Sequence, residues 1–233
     1  MKLFVANWKM NFTTQQSLSF CQNNLEELKG LKNKLIVCPS APALTVVSQV
    51  LKDTDVALCA QSCSENDTGS YTGQVSAKDL SQSGCTYVLV GHSEERKAFN
   101  LSNEAVAKKA LRVLEAGMIP IVCIGESKEV YEKGNTISFL EEQLHPLKRL
   151  LKGASVYIAY EPLWVIGKDE IIANDELIKL FDSLKLFIQK CPFLYGGNVN
   201  EKTIIDLKKV DQICGFLIGR ESLNFDSLYK IIM

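Results

Sequence analysis

Only two histidines occur in 233 residues, and no two of the eight cysteines stand in a Cys-x-x-Cys spacing. Structural zinc sites need clustered thiolate and imidazole ligands, so the usual zinc modules are excluded. No apolar run approaches the ~20 residues of a membrane-spanning helix, and no membrane association is expected. The net charge is −1, which gives no electrostatic reason to bind nucleic acid or an anionic surface. Linkers and low-complexity tracts are missing as well. The opening run Lys2–Ala6 is too short and wrongly flanked for a signal peptide. Cys38, Cys59, Cys123 and Cys214 fall inside strand-like runs, so reduced thiols in a cytosol are the simplest account, and a cytoplasmic location is expected.

What the chain does have is apolar material, 46% of its residues, enough for a sizeable core. Strand-like runs read as Leu3–Asn7, Lys34–Cys38, Val56–Gln61, Tyr87–Gly91, Ile119–Ile124, Ser155–Tyr160, Phe193–Gly196 and Gly215–Ile218. Between them lie helical spacings such as Leu18/Cys21/Leu25/Leu28, Val106/Ala110/Val113, Phe139/Leu140/Leu144/Leu147 and Leu177/Leu180/Phe181/Leu184/Ile188. Short strands that are apolar on both faces and separated by helices imply a parallel sheet covered on both sides. Eight such units in about 250 residues suit a single closed eight-stranded parallel (β/α)8 barrel, the expected α/β fold. A doubly wound open sheet normally announces Gly-x-Gly-x-x-Gly after its first strand, where this chain has Asn7-Trp8-Lys9-Met10-Asn11. Residues 1–233 therefore read as one domain.

The most informative stretch is Tyr160-Glu161-Pro162-Leu163-Trp164-Val165-Ile166-Gly167. Pro162 ends ladder pairing and biases Glu161 away from helical dihedrals. The loop that follows is too apolar for a solvated connection, so it should fold down on something. A strand cap over a core loop would give this pattern, and so would a carboxylate base beside an apolar lid. In a barrel of this kind the working residues sit at the C-terminal strand ends. After the first strand come Asn7 and Lys9, which also fit a turn former and a solvated cation. After the fourth comes Gly91-His92-Ser93-Glu94, where His92 suits a helix cap or an imidazole held neutral by the helix N-terminus. With Glu161 after the sixth, a carboxylate, an imidazole and an ammonium converge on one rim.

Ala6-Asn7-Trp8-Lys9-Met10-Asn11, Gly91-His92-Ser93-Glu94, Cys123-Ile124-Gly125-Glu126, Tyr160 to Gly167, Tyr195-Gly196-Gly197 and Gly215 to Gly219 together resemble the triosephosphate isomerases. The motifs stand in family order and at family spacing from the first strand to the last helix. The resemblance implies interconversion of dihydroxyacetone phosphate and D-glyceraldehyde 3-phosphate, without cofactor or metal, in glycolysis and gluconeogenesis. It implies Glu161 as the base, more basic under its lid than in water, and His92 as a neutral donor to the enediolate oxygens. Lys9 and Asn7 would supply a cation and an amide, and Glu94 would orient Lys9 from behind.

The phosphate would be held by backbone N–H groups of Gly167, Asn198, Gly219 and Arg220, with a short helix N-terminus behind the last two. Asn198 and Arg220 stand where the family usually has Ser and Gly. Arg220 is expected to offer its amide to the anion while its side chain runs outward toward solvent, near Glu221 or Glu201. Lys168-Asp169-Glu170 replaces the small and Thr-rich residues usual at the far hinge of the lid. The family is usually a homodimer, and loop Cys63–Val75, with Thr72-Gly73 at its tip, matches the segment that reaches the partner's site. Gln74 and Glu95 replace a Glu and an Arg that normally meet across that interface, which leaves a hydrogen bond in place of an ion pair. Two other readings remain open at this level. One is a sugar-phosphate aldolase with Lys9 as Schiff-base nucleophile, the other a non-catalytic binding barrel.

Overall fold

The computed structural model describes residues 2–148, 154–168, 171–188 and 191–233. Eight parallel strands close on themselves in chain order, with the first paired to the last. They are β1 (Leu3–Asn7), β2 (Lys34–Cys38), β3 (Ala57–Ala60), β4 (Tyr87–Val90), β5 (Ile119–Ile124), β6 (Tyr157–Tyr160), β7 (Phe193–Tyr195) and β8 (Ile213–Ile218).

Alternation along each strand separates two cores. Leu3, Val5, Ile36, Cys38, Cys59, Leu89, Ile121, Cys123, Ala159, Leu194 and Leu217 fill the barrel lumen. Phe4, Ala6, Val37, Leu58, Val88, Val122, Ile158 and Phe216 pack outward on the helices. A period of two therefore carries the lumen-facing register from Val5 to Asn7 and from Ala159 to Glu161. The residues at the barrel mouth are delivered by the same pattern that fills it.

Strands β1, β2 and β5 coincide with the runs expected, and β3, β4, β6 and β7 are a residue or two shorter. Gly91 turns out of β4 with φ 71°, and β6 begins at Tyr157. The last strand is longer, because a bulge between Phe193 and Leu194 lets Ile213 pair with Phe193 ahead of Gly215. The expected helical spacing from Leu18 to Leu28 divides into Thr14–Asn23 and Leu25–Lys29. At the break the Asn24 side chain donates to the Phe20 carbonyl (2.7 Å), competing with the helical ladder.

Candidate active site

Lys9 leaves β1 in the left-handed region, with φ 52°, a conformation that costs a non-glycine residue about 1–3 kcal/mol. Two contacts hold it there. The Lys9 amide donates to Asn7 Oδ1 at 3.0 Å, and Gln61 Nε2 donates to the Lys9 carbonyl at 2.7 Å. Asn7 thus forms the turn with its oxygen and still lines the cleft. The Lys9 ammonium lies 2.5 Å from Glu94 Oε1. Glu94 also donates its backbone N–H to His92 Nδ1 at 3.3 Å, so one residue orients both cation and imidazole.

That bond makes Nδ1 an acceptor and leaves the ring proton on Nε2, which sits 3.2 Å from Glu161 Oε1. Burial opposes charging of the ring. The facing Glu161 carboxylate, aided by Glu94, outweighs it, so the His92 pKa stands above its ordinary value. The helix start at Ser93 alone would have held the ring neutral, as expected from sequence. The carboxylate opposite is the stronger influence.

Glu161 is 4% exposed. Among the described residues its Oε2 is buried without a hydrogen-bond partner. The carboxylate fits only because residue 196 is glycine, since a Cβ there would stand 2.8 Å from Glu161 Cγ. The Cys123 thiol faces Glu161 from β5 and is pushed well up, by burial first and by that carboxylate second. From sequence Cys123 is a strand residue and the start of a motif, with no role at the site. Its lumen-facing register, two residues ahead of Gly125, was the available signal.

Asn7, Lys9, His92, Glu161, Gly167, Asn198, Gly219 and Arg220 all line one cleft of about 350 Å³. Every catalytic and substrate-binding candidate from the sequence is therefore brought together. The turn behind Gly219 is a four-residue 3-10 segment, Arg220–Leu223, rather than an α-helix. The Arg220 side chain is exposed, as expected, but pairs with neither Glu221 nor Glu201 among the described residues. Glu221 is occupied by the Ser227 hydroxyl (2.6 Å) and Glu201 by Lys230 (3.3 Å). The exposed guanidinium instead reaches across the cleft, with Nη2 3.9 Å from where a Cβ on Gly167 would stand.

Comparison with known proteins bears directly on this geometry. The sequence model of the family described as triosephosphate isomerase matches residues 2–233. The chain belongs to the triosephosphate isomerase family. A triosephosphate isomerase of Wolbachia pipientis wMel is 36% identical, with 99% of this chain and 92% of that protein aligned. One from Aquifex aeolicus is 34% identical, over 99% and 98% of the two chains. The crystal structure of triosephosphate isomerase from Bartonella henselae superimposes with TM-score 0.86 at 26% identity, covering 99% of this chain and 97% of that one.

The apolar loop after Glu161 folds down, as its composition suggested. Leu163 and Ile166 are exposed (39% and 40%), but Val165 is fully buried and belongs to the main core. Trp164 stacks on Tyr131 with ring centroids 4.1 Å apart. Its Nε1–H donates to Glu126 Oε1 at 2.8 Å, and the Tyr160 hydroxyl donates to the same oxygen at 3.0 Å. Burial raises the Glu126 pKa despite these donors. Glu126 was quoted only as part of a motif, although a carboxylate two residues beyond a wholly apolar strand was its signal. Of the altered hinge, Lys168 donates its N–H to the Val165 carbonyl at 3.1 Å, whereas Asp169 and Glu170 lie outside the described residues.

Loop Cys63–Val75 is closed at its base by the Ser64 amide on the Val75 carbonyl (2.8 Å) and exposes Thr72 and Gly73 at its tip. Gln74 and Glu95 are both engaged within their own chain. Gln74 accepts from the Ser64 hydroxyl, and Glu95 pairs with Lys109 and accepts from the Ser62 hydroxyl.

Proposed function

We propose that the chain interconverts dihydroxyacetone phosphate and D-glyceraldehyde 3-phosphate, with residues 1–233 acting as one barrel domain. The observation that carries this reading is the unpartnered Glu161 Oε2 on the same cleft as His92 Nε2 and the Lys9 ammonium. In the forward direction Glu161 takes a proton from the hydroxymethyl carbon beside the ketone. The C–H electron pair becomes the C=C bond of an enediolate, and the carbonyl π pair moves onto oxygen. His92 Nε2–H and Lys9 donate to the developing oxyanion, which is worth ~3 kcal/mol for one well-aimed donor. Asn7 adds an amide donor, and Glu94 orients Lys9 without touching substrate. His92 Nε2–H gives its proton to the former carbonyl oxygen and takes the hydroxyl proton from the oxygen beside it. That second oxygen then forms the new C=O, and the C=C electron pair takes the proton held by Glu161 onto the former carbonyl carbon. Gly167, Asn198, Gly219 and Arg220 hold the phosphoryl group.

An aldolase reading is less well supported. A Lys9 ammonium ion-paired with Glu94 offers no lone pair to attack a carbonyl. We assign the chain to a homodimer through loop Cys63–Val75, with Thr72 near the partner's site. We also assign it to a reducing cytoplasm, where its eight free cysteines persist, and to glycolysis and gluconeogenesis. Among the described residues no helix is long and apolar enough to cross a membrane.

The test is a coupled isomerase assay on pure protein and on Glu161→Asp. Retracting the carboxylate by about 1 Å should cost on the order of 100-fold in kcat. Absence of turnover in the parent, or full turnover in the variant, refutes the assignment.

A further inference from the structure

We propose that the side chains of Arg220 and Asn198 form a charged clamp on the substrate's phosphoryl dianion, supplementing the backbone donors of the cup. The proposal rests on the isomerase reading above and names two residues that set its specificity for phosphorylated substrates. The Arg220 guanidinium makes no hydrogen bond or ion pair among the described residues, and it spans the cleft from the loop after β8 toward Gly167 on the lid. Asn198, on the loop after β7, is fixed by its neighbours. Its Oδ1 accepts from Asn200 Nδ2 at 3.2 Å, and its carbonyl accepts from the Thr203 hydroxyl at 2.8 Å. This orientation leaves Asn198 Nδ2 buried with no partner among the described residues. A buried donor without an acceptor is costly, and Asn198 lines the cleft, so a small turn of its amide toward an anion there would relieve that cost.

A guanidinium and an amide suit this ligand. A sugar phosphate carries about −1.5 to −2 charges near neutral pH, and the planar Arg fork donates two parallel bonds to such oxygens. The donors come from separate loops, and the lid supplies the third side of the enclosure. Gly219 closes the floor, with Lys9 Nζ 3.9 Å from where its Cβ would stand, so phosphoryl group and reacting carbons share one continuous cleft. An uncharged triose would leave both donors idle. The clamp therefore selects small phosphorylated carbohydrates, and its attraction weakens with salt as the charges are screened.

The experiment compares the parent with Arg220→Gln, Asn198→Ala and the double variant. Two readouts are needed: kcat/KM for D-glyceraldehyde 3-phosphate and for unphosphorylated D-glyceraldehyde, and calorimetric titration with inorganic phosphate. The expected result for Arg220→Gln is a loss of about 10- to 100-fold on the phosphorylated substrate, the range for one hydrogen-bonded charge pair. Its loss on glyceraldehyde should be under about twofold, its phosphate Kd should rise, and the double variant should lose more than either single one. A loss below about tenfold, an equal loss on both substrates, or an unchanged phosphate Kd overturns the clamp. If the parent isomerises neither triose, the proposed reaction falls, and the phosphate titration still decides the clamp.

Discussion

Gly196→Ala is a small perturbation with a large expected effect. The new methyl would stand 2.8 Å from Glu161 Cγ and 3.3 Å from Leu217 Cβ. Leu217 packs in the lumen and has little room to yield, whereas the Glu161 stem ends in an open cleft. Restoring an ordinary 3.4 Å contact therefore moves the carboxylate by about 0.6 Å. Misplacing a reacting group by ~1 Å costs on the order of 100-fold, so this displacement should cost about 10- to 100-fold in kcat, up to ~2.7 kcal/mol of barrier. KM should change little, because no phosphate contact is touched. Residue 196 has no positive φ, so alanine there brings no backbone strain and the fold should survive. Gly117→Ala is the matched control. Its φ of 76° strains any side chain, yet nothing lies within 4 Å of its Cβ position. It should lower stability by about 1 kcal/mol and leave kcat unchanged. Steady-state kinetics with urea midpoints on both variants decide the matter. A folded Gly196→Ala protein with parental kcat would show that Glu161 does not need its observed position.

Glu161→Gln removes the main charge that raises the His92 pKa and leaves burial and Lys9 acting downward against Glu94 alone. Ring titration by NMR should therefore show a lower His92 pKa in the variant, and an unchanged or higher value would refute the pairing. The sign for stability follows. In the parent, His92 protonation favours the fold below the ring's ordinary pKa, and that contribution is lost as pH rises through the higher folded value. Trp164→Phe deletes the donor to Glu126 while keeping the ring stacked on Tyr131. A looser lid should admit water to the enediolate, so inorganic phosphate released per isomerisation should rise, and a constant ratio would exclude Trp164 as a tether.

The barrel was legible in the sequence because each strand alternates two apolar faces, and Asn7 and Glu161 simply continue that alternation at the strand ends. His92 and Lys9 were legible as polar residues where an apolar run stops. Side-chain direction was not. Arg220 could be placed at the cup, but its guanidinium lies toward Gly167 of the lid and pairs with neither Glu221 nor Glu201, and no local pattern encodes that. The loop after Pro162 was legible as one that folds down, but not that Val165 alone of its apolar residues is fully buried, where the turn after Pro162 carries it inward. The left-handed Lys9 was equally hidden, since one of the two contacts that hold it comes from Gln61, 52 residues further on.

Lys109 and Glu95 pair with side chains only 11% and 13% exposed. The Ser62 hydroxyl donates to Glu95 Oε1 at 2.6 Å and accepts from Lys109 Nζ at 3.0 Å, which closes a small buried network. Lys109→Met keeps the volume but strands the Glu95 carboxylate, whose Oε2 already lacks a partner among the described residues. Breaking a buried pair from one side costs about 3–5 kcal/mol, whereas replacing both partners by apolar residues is often neutral. Adding Glu95→Leu to Lys109→Met should therefore recover most of the loss, with a coupling of at least ~1.5 kcal/mol in the double-mutant cycle. Urea midpoints measured at two protein concentrations also report on assembly. A homodimer's midpoint rises with concentration, because mass action favours the associated fold. A network contained in one chain gives the same coupling at both concentrations. A coupling that grows with concentration would mean that Glu95 turns to the partner subunit on association. A double variant no more stable than Lys109→Met would mean that this pair is not what holds the two side chains in place.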